Sequence, residues 1–152
     1  MRQYEGDMRP TNDVIIEATC EAEAKNGLER ANCICNAESS FHGGGDYHAW
    51  LSDSALDAKD NIKYSAANKY ARSDSAVTII ALADTLLTTN QANLENGISS
   101  ESGVGIWTNT DSEGYKSNIA CENWTDGSGD FQGRIGARKA SNKDWTYYIT
   151  QS

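Results

Sequence analysis

Residues 105–136 read GIWTNTDSEGYKSNIACENWTDGSGDFQGRIG, a stretch that holds two of the chain's four tryptophans. Short apolar and aromatic runs alternate in it with acidic and glycine-rich turns, which is typical of short strands joined by long loops. Loops of this kind usually carry the binding surface of a domain. The stretch therefore predicts a loop-rich, mainly antiparallel sheet in the last third of the chain.

The sequence before this stretch predicts mainly helices. Residues 28–40 follow an Asn-Gly turn signal and repeat their apolar positions at helical spacing. A second helix is expected from a cap at Asp53 or Ser54 to Lys63. Period-two alternation predicts a strand over residues 47–51. The fold class is therefore α+β, with early helices packed on the sheet.

Other parts of the chain give weaker structural signals. Residues 14–16 and 76–80 are short β-branched runs that predict strands, and a helix capped near Asp84 is expected after the second run. Residues 1–13 have no period and are expected to form a flexible lead-in. A single domain over residues 14–152 follows, since roughly 100–200 residues make one domain.

The charge of the chain excludes some classes of partner. The 152 residues include 13 Lys and Arg against 22 Asp and Glu, for a formal net charge of -9. Such a protein repels nucleic-acid phosphates and anionic membrane surfaces, and it attracts basic partners. No stretch has the ~20 apolar residues that a membrane-spanning helix needs. Nucleic-acid binding and a transmembrane segment are therefore not expected.

Several short motifs resemble known sites. His42, Asp46 and His48 could ligate a metal from one loop, but a surface loop is the simpler interpretation. Acidic residues on glycine turns at 111–114 and 126–130 resemble calcium loops without the EF-hand register, so solvated turns are the simpler interpretation there too. No catalytic triad or phosphate loop is found, and no spacing singles out a carboxylate pair for glycoside hydrolysis. We therefore expect no enzyme, no resident metal, and calcium as the one cofactor to test.

Five sequence words occur in a recognisable order from Arg30 onward. They are RANCICNAESS, GDYHAWLSDSALDAKDNI, LADTLLTTNQANLENG, the stretch quoted above and NKDWTYYIT. In this order the chain, from Val14 on, resembles endostatin, the C-terminal domain of certain collagens, and more closely the endostatin-like outer-membrane lipoproteins of leptospires. The resemblance implies a C-type-lectin-like fold. In such a fold Trp50, Trp107 and Trp124 would fill a small aromatic core.

The cysteines depart from that family in two ways. The resemblance implies bridges from Cys35 to the last strand and from Cys121 to a cysteine shortly after Trp145. Both partners would fall beyond Ser152, so the closing strand is expected to be missing, with an exposed sheet edge and strand exchange into a homodimer as consequences.

The second departure is the additional pair Cys20 and Cys33. Positions two apart on a helix differ by about 200°, so Cys33 and Cys35 face opposite sides. We therefore predict a Cys20–Cys33 disulfide. An even number of cysteines without zinc spacing suits an oxidising compartment, although no targeting signal is present in the sequence.

The resemblance also implies a function. Its bacterial members are adhesins that attach to host laminin, fibronectin or complement factor H, so a non-catalytic domain at the bacterial cell surface is expected. The alternative is a calcium-assisted carbohydrate-binding module, although the chain lacks the E-P-N and Q-P-D tripeptides of lectins. The expected binding residues lie on the late loops, and they are Asp111, Glu113, Tyr115, Lys116, Asp126, Asp130, Phe131 and Arg134.

Overall fold

The computed structural model describes residues 20, 27–38, 45–65, 67, 70–72, 75–81, 94–98, 105–118, 121–125 and 132–151. Its elements in chain order are the helices α1 (Gly27–Glu38) and α2 (Ala58–Asn61), the strands β1 (Tyr70–Arg72), β2 (Ser75–Ala81) and β3 (Ile106–Trp107), the helical turn α3 (Cys121–Trp124), β4 (Gly133–Gly136), a 3-10 turn (Lys143–Trp145) and β5 (Ile149–Gln151). The fold class is α+β, as predicted. Among the described residues, no helix has the length and apolar character to cross a membrane.

The strands form two antiparallel groups. β1 and β2 pair as an irregular hairpin, which confirms the strand predicted over residues 76–80. β3, β4 and β5 form a three-stranded sheet with β4 in the centre, where Ile135 faces Trp107 on one side and Ile149 on the other. The late, loop-rich antiparallel sheet is confirmed. The predicted strand at 14–16 and the helix near Asp84 lie outside the described residues.

Helix α1 packs closely against α3. It agrees with the helix predicted over residues 28–40 to within two residues at each end. Gly27 at its start has φ +53, and a Cβ there would lie 2.5 Å from the Asn123 carbonyl oxygen. Only glycine combines that conformation with so close a backbone approach. The Cys20–Cys33 disulfide is present, as predicted, and ties α1 to the segment before it.

The buried side chains form two clusters. Trp124 is fully buried in the first, where Trp107 packs edge-on against it with ring centroids 6.3 Å apart. The second is built on Trp145, whose ring lies 4.9 Å from that of Trp50. Trp50 and Trp107 are half-buried and pack at the border of their clusters. The buried members of the first cluster are Cys20, Leu28, Ala31, Ile34, Ala49, Leu51 and Trp124.

The strand predicted over residues 47–51 is wrong. The segment does not pair as a strand, because side chains of two helices form hydrogen bonds with its backbone. The Ala49 amide donates to Asn32 Oδ1 at 2.9 Å, and Asn61 Nδ2 donates to the Ala49 carbonyl at 2.7 Å. Two asparagine side chains thus satisfy the backbone donor and acceptor of Ala49, which a neighbouring strand would satisfy in a sheet.

The helix predicted from Asp53 or Ser54 to Lys63 is shorter than expected. Asp53 does cap backbone amides, but its Oδ1 accepts from Ala55 and Leu56 in a separate turn at 2.8 Å each. The helix itself begins only at Ala58. The side chain that was expected to start the helix therefore folds the turn before it.

The turn α3 has a left-handed backbone. Glu122, Asn123 and Trp124 have φ values of 51°, 56° and 66°. The left-handed conformation costs roughly 1–2 kcal/mol for each residue that is not glycine. Two hydrogen bonds hold the turn in place: Asn123 Oδ1 accepts from the Ser54 amide, and Trp124 Nε1 donates to the Ser52 carbonyl, each at 2.8 Å.

We expect Glu122→Gly to stabilise the protein by up to about 1 kcal/mol, because glycine adopts positive φ without the steric cost. Glu122 is exposed, so little packing is lost with its side chain. Urea unfolding followed by circular dichroism measures the change. Glu122→Ala removes the same side chain but keeps the strain, so it should give no gain. Equal effects of the two substitutions would contradict the strain.

Strand β5 forms one edge of the three-stranded sheet. Within the described part of the chain, no strand pairs with its outer side. Tyr148, just before it, and Ile149, its first residue, are among the most exposed large hydrophobic residues, at 54% and 44%. An open edge with exposed apolar side chains can pair with another strand.

Candidate ligand-binding site

Ser52 lies at the centre of a buried hydrogen-bond network. Its hydroxyl contacts the Thr110 hydroxyl at 2.9 Å and accepts from the Ala58 amide at 2.8 Å. Its amide donates to the Thr108 carbonyl at 3.0 Å. Ser52, Thr108 and Thr110 are all completely buried. The network fixes the start of the loop that follows Thr110, here called the 111–117 loop.

Asp111 folds the 111–117 loop onto itself. Its Oδ1 accepts from the amides of Glu113 at 2.8 Å and Tyr115 at 2.9 Å. The Asp111 amide in turn donates to the Tyr115 carbonyl at 2.8 Å. Thr110 and Lys116 form an isolated antiparallel β-bridge at the base of the loop. An aspartate that accepts local backbone amides stabilises a turn. The carboxylate therefore holds the loop together and does not need a cation to do so.

The 111–117 loop is docked on the segment that contains α2. The Lys116 amide donates to Asp57 Oδ1, and Lys116 Nζ donates to the Ser54 carbonyl, each at 2.8 Å. The Lys59 amide donates to the Gly114 carbonyl at 3.3 Å. Bonds from both main chain and side chain fix the loop on this side, so its conformation is set before any ligand arrives.

Tyr115 is the exposed side chain at the tip of this loop. It is 45% exposed, and the Lys59 Nζ lies 3.2 Å from the centroid of its ring. A cation over an aromatic face adds about 0.5–1 kcal/mol at an exposed site. The result is an aromatic residue whose backbone and ring are both held in place at the protein surface.

The remaining predicted binding residues lie elsewhere. Arg134 is on β4, where its guanidinium carbon lies 3.9 Å from the centroid of the Tyr147 ring. Glu113 is half-buried within the 111–117 loop. Asp126, Asp130 and Phe131 lie outside the described residues. The structure thus brings together Asp111, Glu113, Tyr115 and Lys116 and leaves Arg134 stacked on a different aromatic ring.

Sequence reasoning missed two residues of this site, Lys59 and Asp57. They lie more than fifty positions before the loop that they contact. Both residues belong to the second of the five sequence words, but the docking of one loop on another has no local sequence signal.

A cavity of about 330 Å³ lies between α1 and the segment that precedes Trp50. Asp46 on its wall accepts from Lys63 Nζ at 3.0 Å, and His48 Nε2 lies 3.1 Å from its other carboxylate oxygen. The Lys63 ammonium first, and the His48 imidazole second, lower the pKa of Asp46 below its ordinary value. This carboxyl is therefore ionised at neutral pH. The lining residues are Glu29, Asn32, Cys33, Asn36, Asp46, Tyr47 and His48.

The expectation of no resident metal stays a prediction, as does calcium as the cofactor to test. Across the described residues there is no group of three or more histidine, cysteine, aspartate or glutamate side chains placed to hold a metal ion. His42, which the sequence grouped with Asp46 and His48, is not among those residues. The calcium interpretation of the 126–130 turn likewise lies outside them.

Comparison with known proteins gives one match. The profile of a family described as "Protein of unknown function (DUF1554)" matches residues 18–141, which is more than half of the chain. No curated protein and no solved structure matches. The matched region contains α1, the Ser52 network, the 111–117 loop and α3.

Proposed function

We propose, from the premise that the chain belongs to the DUF1554 family, that it is a non-catalytic domain that binds protein ligands through its loops. The observation that carries the proposal is the fixed, exposed Tyr115 on the docked 111–117 loop. Pre-organised aromatic residues dominate protein interfaces, because they bury a large area and lose little conformational entropy on binding.

The charged groups of the loop support a binding role over a catalytic one. Asp111 accepts two backbone amides, and Lys116 donates to a backbone carbonyl. Both groups therefore stabilise the loop and are not placed as an acid or base facing a reactant. The net charge of -9 favours basic surfaces on the partner by long-range attraction.

The resemblance of the sequence to endostatin-like proteins supplies the finer part of the proposal. It supports a C-type-lectin-like fold, attachment at the bacterial cell surface, and ligands such as laminin, fibronectin or complement factor H. The Cys20–Cys33 disulfide supports an oxidising compartment. The outer side of β5, which no described strand covers, supports the strand-exchanged homodimer that the sequence predicts.

Tyr115→Ala tests the proposal on an array of extracellular-matrix and serum proteins that includes these three ligands. We expect the native domain to bind at least one, and the variant to bind it about 10- to 100-fold more weakly, as for an interface hot spot. Surface plasmon resonance measures both affinities. Tyr148→Ala removes a tyrosine beside β5 that is exposed by 54% against 45% for Tyr115, and it should leave the affinity unchanged. Equal affinities of the native domain and both variants, or no binding of the native domain to any ligand, would contradict a role of the 111–117 loop in binding.

A further inference from the structure

The cavity beside α1, here called the α1 cavity, has a polar wall on each side. Glu29, Asn32, Cys33 and Asn36 form the α1 wall, at the spacing i, i+3, i+4, i+7 that places residues on one helix face. Asp46, Tyr47 and His48 form the opposite wall. Its volume of about 330 Å³ is at the small end of the range for ligand pockets, roughly 300–1,000 Å³.

The α1 cavity is formed without a ligand. The Tyr47 amide donates to Asn36 Oδ1 at 3.4 Å, and the Ala49 amide donates to Asn32 Oδ1 at 2.9 Å, so the two walls are bonded to each other. Asn32 Nδ2 also donates to Asn61 Oδ1 at 2.7 Å, and Asn61 Nδ2 donates to Asn32 Oδ1 at 2.9 Å. Asn32 therefore uses both its side-chain oxygen and its side-chain nitrogen to build the wall.

The polar groups left over in the α1 cavity are mainly acceptors. The Glu29 side chain is exposed, and its carboxylate is an acceptor in the lining. The His48 side chain is 23% exposed, and its Nε2 lies 3.1 Å from Asp46 Oδ1, so it orients the second carboxylate of the lining. Two exposed carboxylates favour a ligand that is rich in hydrogen-bond donors.

The charges point to a cationic donor. Glu29 and Asp46 contribute two negative charges, and Lys63 compensates one of them from outside the lining. The Lys63–Asp46 pair is exposed on both sides, with side chains 71% and 69% accessible. An exposed pair is worth only about 0–1 kcal/mol, so an incoming cation can compete with Lys63. Tyr47 adds an aromatic ring to the lining, on which a cation is favoured.

We propose that the α1 cavity binds a primary ammonium or guanidinium group, presented as a lysine or arginine side chain of a polypeptide. Glu29 and Asp46 accept its N–H groups, and His48 holds the Asp46 carboxylate in the lining. The cavity shares no residue with the 111–117 loop. The assignment therefore goes beyond the proposed function and does not rest on it.

The test is an NMR titration of the full chain with small cationic probes. Nα-acetyl-lysine methylamide and Nα-acetyl-arginine methylamide are expected to shift the His48 and Asn32 signals saturably, with a Kd on the order of 1 mM for ligands of this size. Nα-acetyl-norleucine methylamide, which has the same stem without the charge, should not shift them.

Three variants separate the roles of the charges. Asp46→Asn and Glu29→Gln each remove one charged acceptor and should weaken binding about 10-fold. Lys63→Gln removes the competing cation and should strengthen binding roughly 3-fold. Glu122→Gln changes the net charge equally at the exposed turn α3 and should have no effect. Circular dichroism confirms that each variant is folded.

Several results would overturn the assignment. These are equal shifts from the neutral probe, the same affinity for native protein and Asp46→Asn, or weaker binding by Lys63→Gln. Zinc chloride serves as a competing probe. Saturable zinc binding that is lost in His48→Ala and that blocks the cationic probe would make the cavity a metal site instead. Shifts caused by a neutral disaccharide, with none from the cationic probes, would make it a sugar site.

Discussion

Trp124→Ala is expected to destabilise the protein by about 3–5 kcal/mol, as for other large aromatic residues removed from a core. The side chain is 0% exposed and packs edge-on against Trp107. Its loss leaves a cavity in the first core cluster, and it also leaves the buried Ser52 carbonyl without its 2.8 Å donor. Because domains are stable by only about 5–15 kcal/mol, the substitution should remove a large share of the free energy of unfolding.

Urea unfolding followed by circular dichroism measures this effect without relying on the fluorescence of the tryptophan that is removed. Trp124→Phe is the matched control, since it keeps a ring and loses only the N–H donor and some volume. It should cost less, about 1 kcal/mol for the lost hydrogen bond, because Asn109 Nδ2 also donates to the Ser52 carbonyl, at 3.4 Å. A Trp124→Ala variant that unfolds within 1 kcal/mol of the native protein would contradict the place of Trp124 at the centre of the core.

Removal of the Cys20–Cys33 disulfide is expected to cost on the order of 3 kcal/mol. The bridge closes a loop of 13 residues' separation, and its loss restores conformational freedom to the unfolded chain. Cys20 is also completely buried in the first core cluster. The Cys20→Ala, Cys33→Ala double variant should therefore unfold at a lower urea concentration than the oxidised native protein.

The redox dependence provides the control for this prediction. Dithiothreitol should lower the stability of the native protein towards that of the double variant and should leave the double variant unchanged. A count of reactive thiols in denaturant tests the bridge directly, because the chain has four cysteines. Four reactive thiols without reductant would contradict the disulfide.

Local signals in the sequence predicted the elements that local interactions build. Helix α1 has a turn signal before it and apolar residues at helical spacing, and it forms within two residues of the prediction. The Cys20–Cys33 bridge followed from the opposite directions of Cys33 and Cys35 on that helix. Strand β2 follows its β-branched run in the same way.

Interactions between distant residues account for the prediction that failed. Residues 47–51 alternate like a strand, but the side-chain amides of Asn32 and Asn61 bind the amide and the carbonyl of Ala49. Period-two alternation predicts which side chains face the core. It does not predict which groups form hydrogen bonds with the backbone. The asparagines that decide the outcome belong to two different helices.

The same limit applies to the candidate site. The sequence placed Asp111 and Lys116 in a binding loop, and the loop exists, but both charges are used to build it. Acidic turns of this kind have the same composition whether they bind a cation or cap their own amides. The position of the Lys59 ammonium over the Tyr115 ring, which distinguishes this tyrosine, cannot be predicted from the sequence.

The hydrogen bonds of Trp50 and Trp124 span long distances in the sequence. Trp50 Nε1 donates to Thr146 Oγ1 at 2.8 Å across 96 positions, and Trp124 reaches Ser52 across 72. A chain leaving the ribosome cannot close either contact until the later residue of each pair has been made. Trp50 should therefore stay without its Thr146 acceptor on nascent copies for most of synthesis, which leaves a large aromatic side chain open to chaperones during that time.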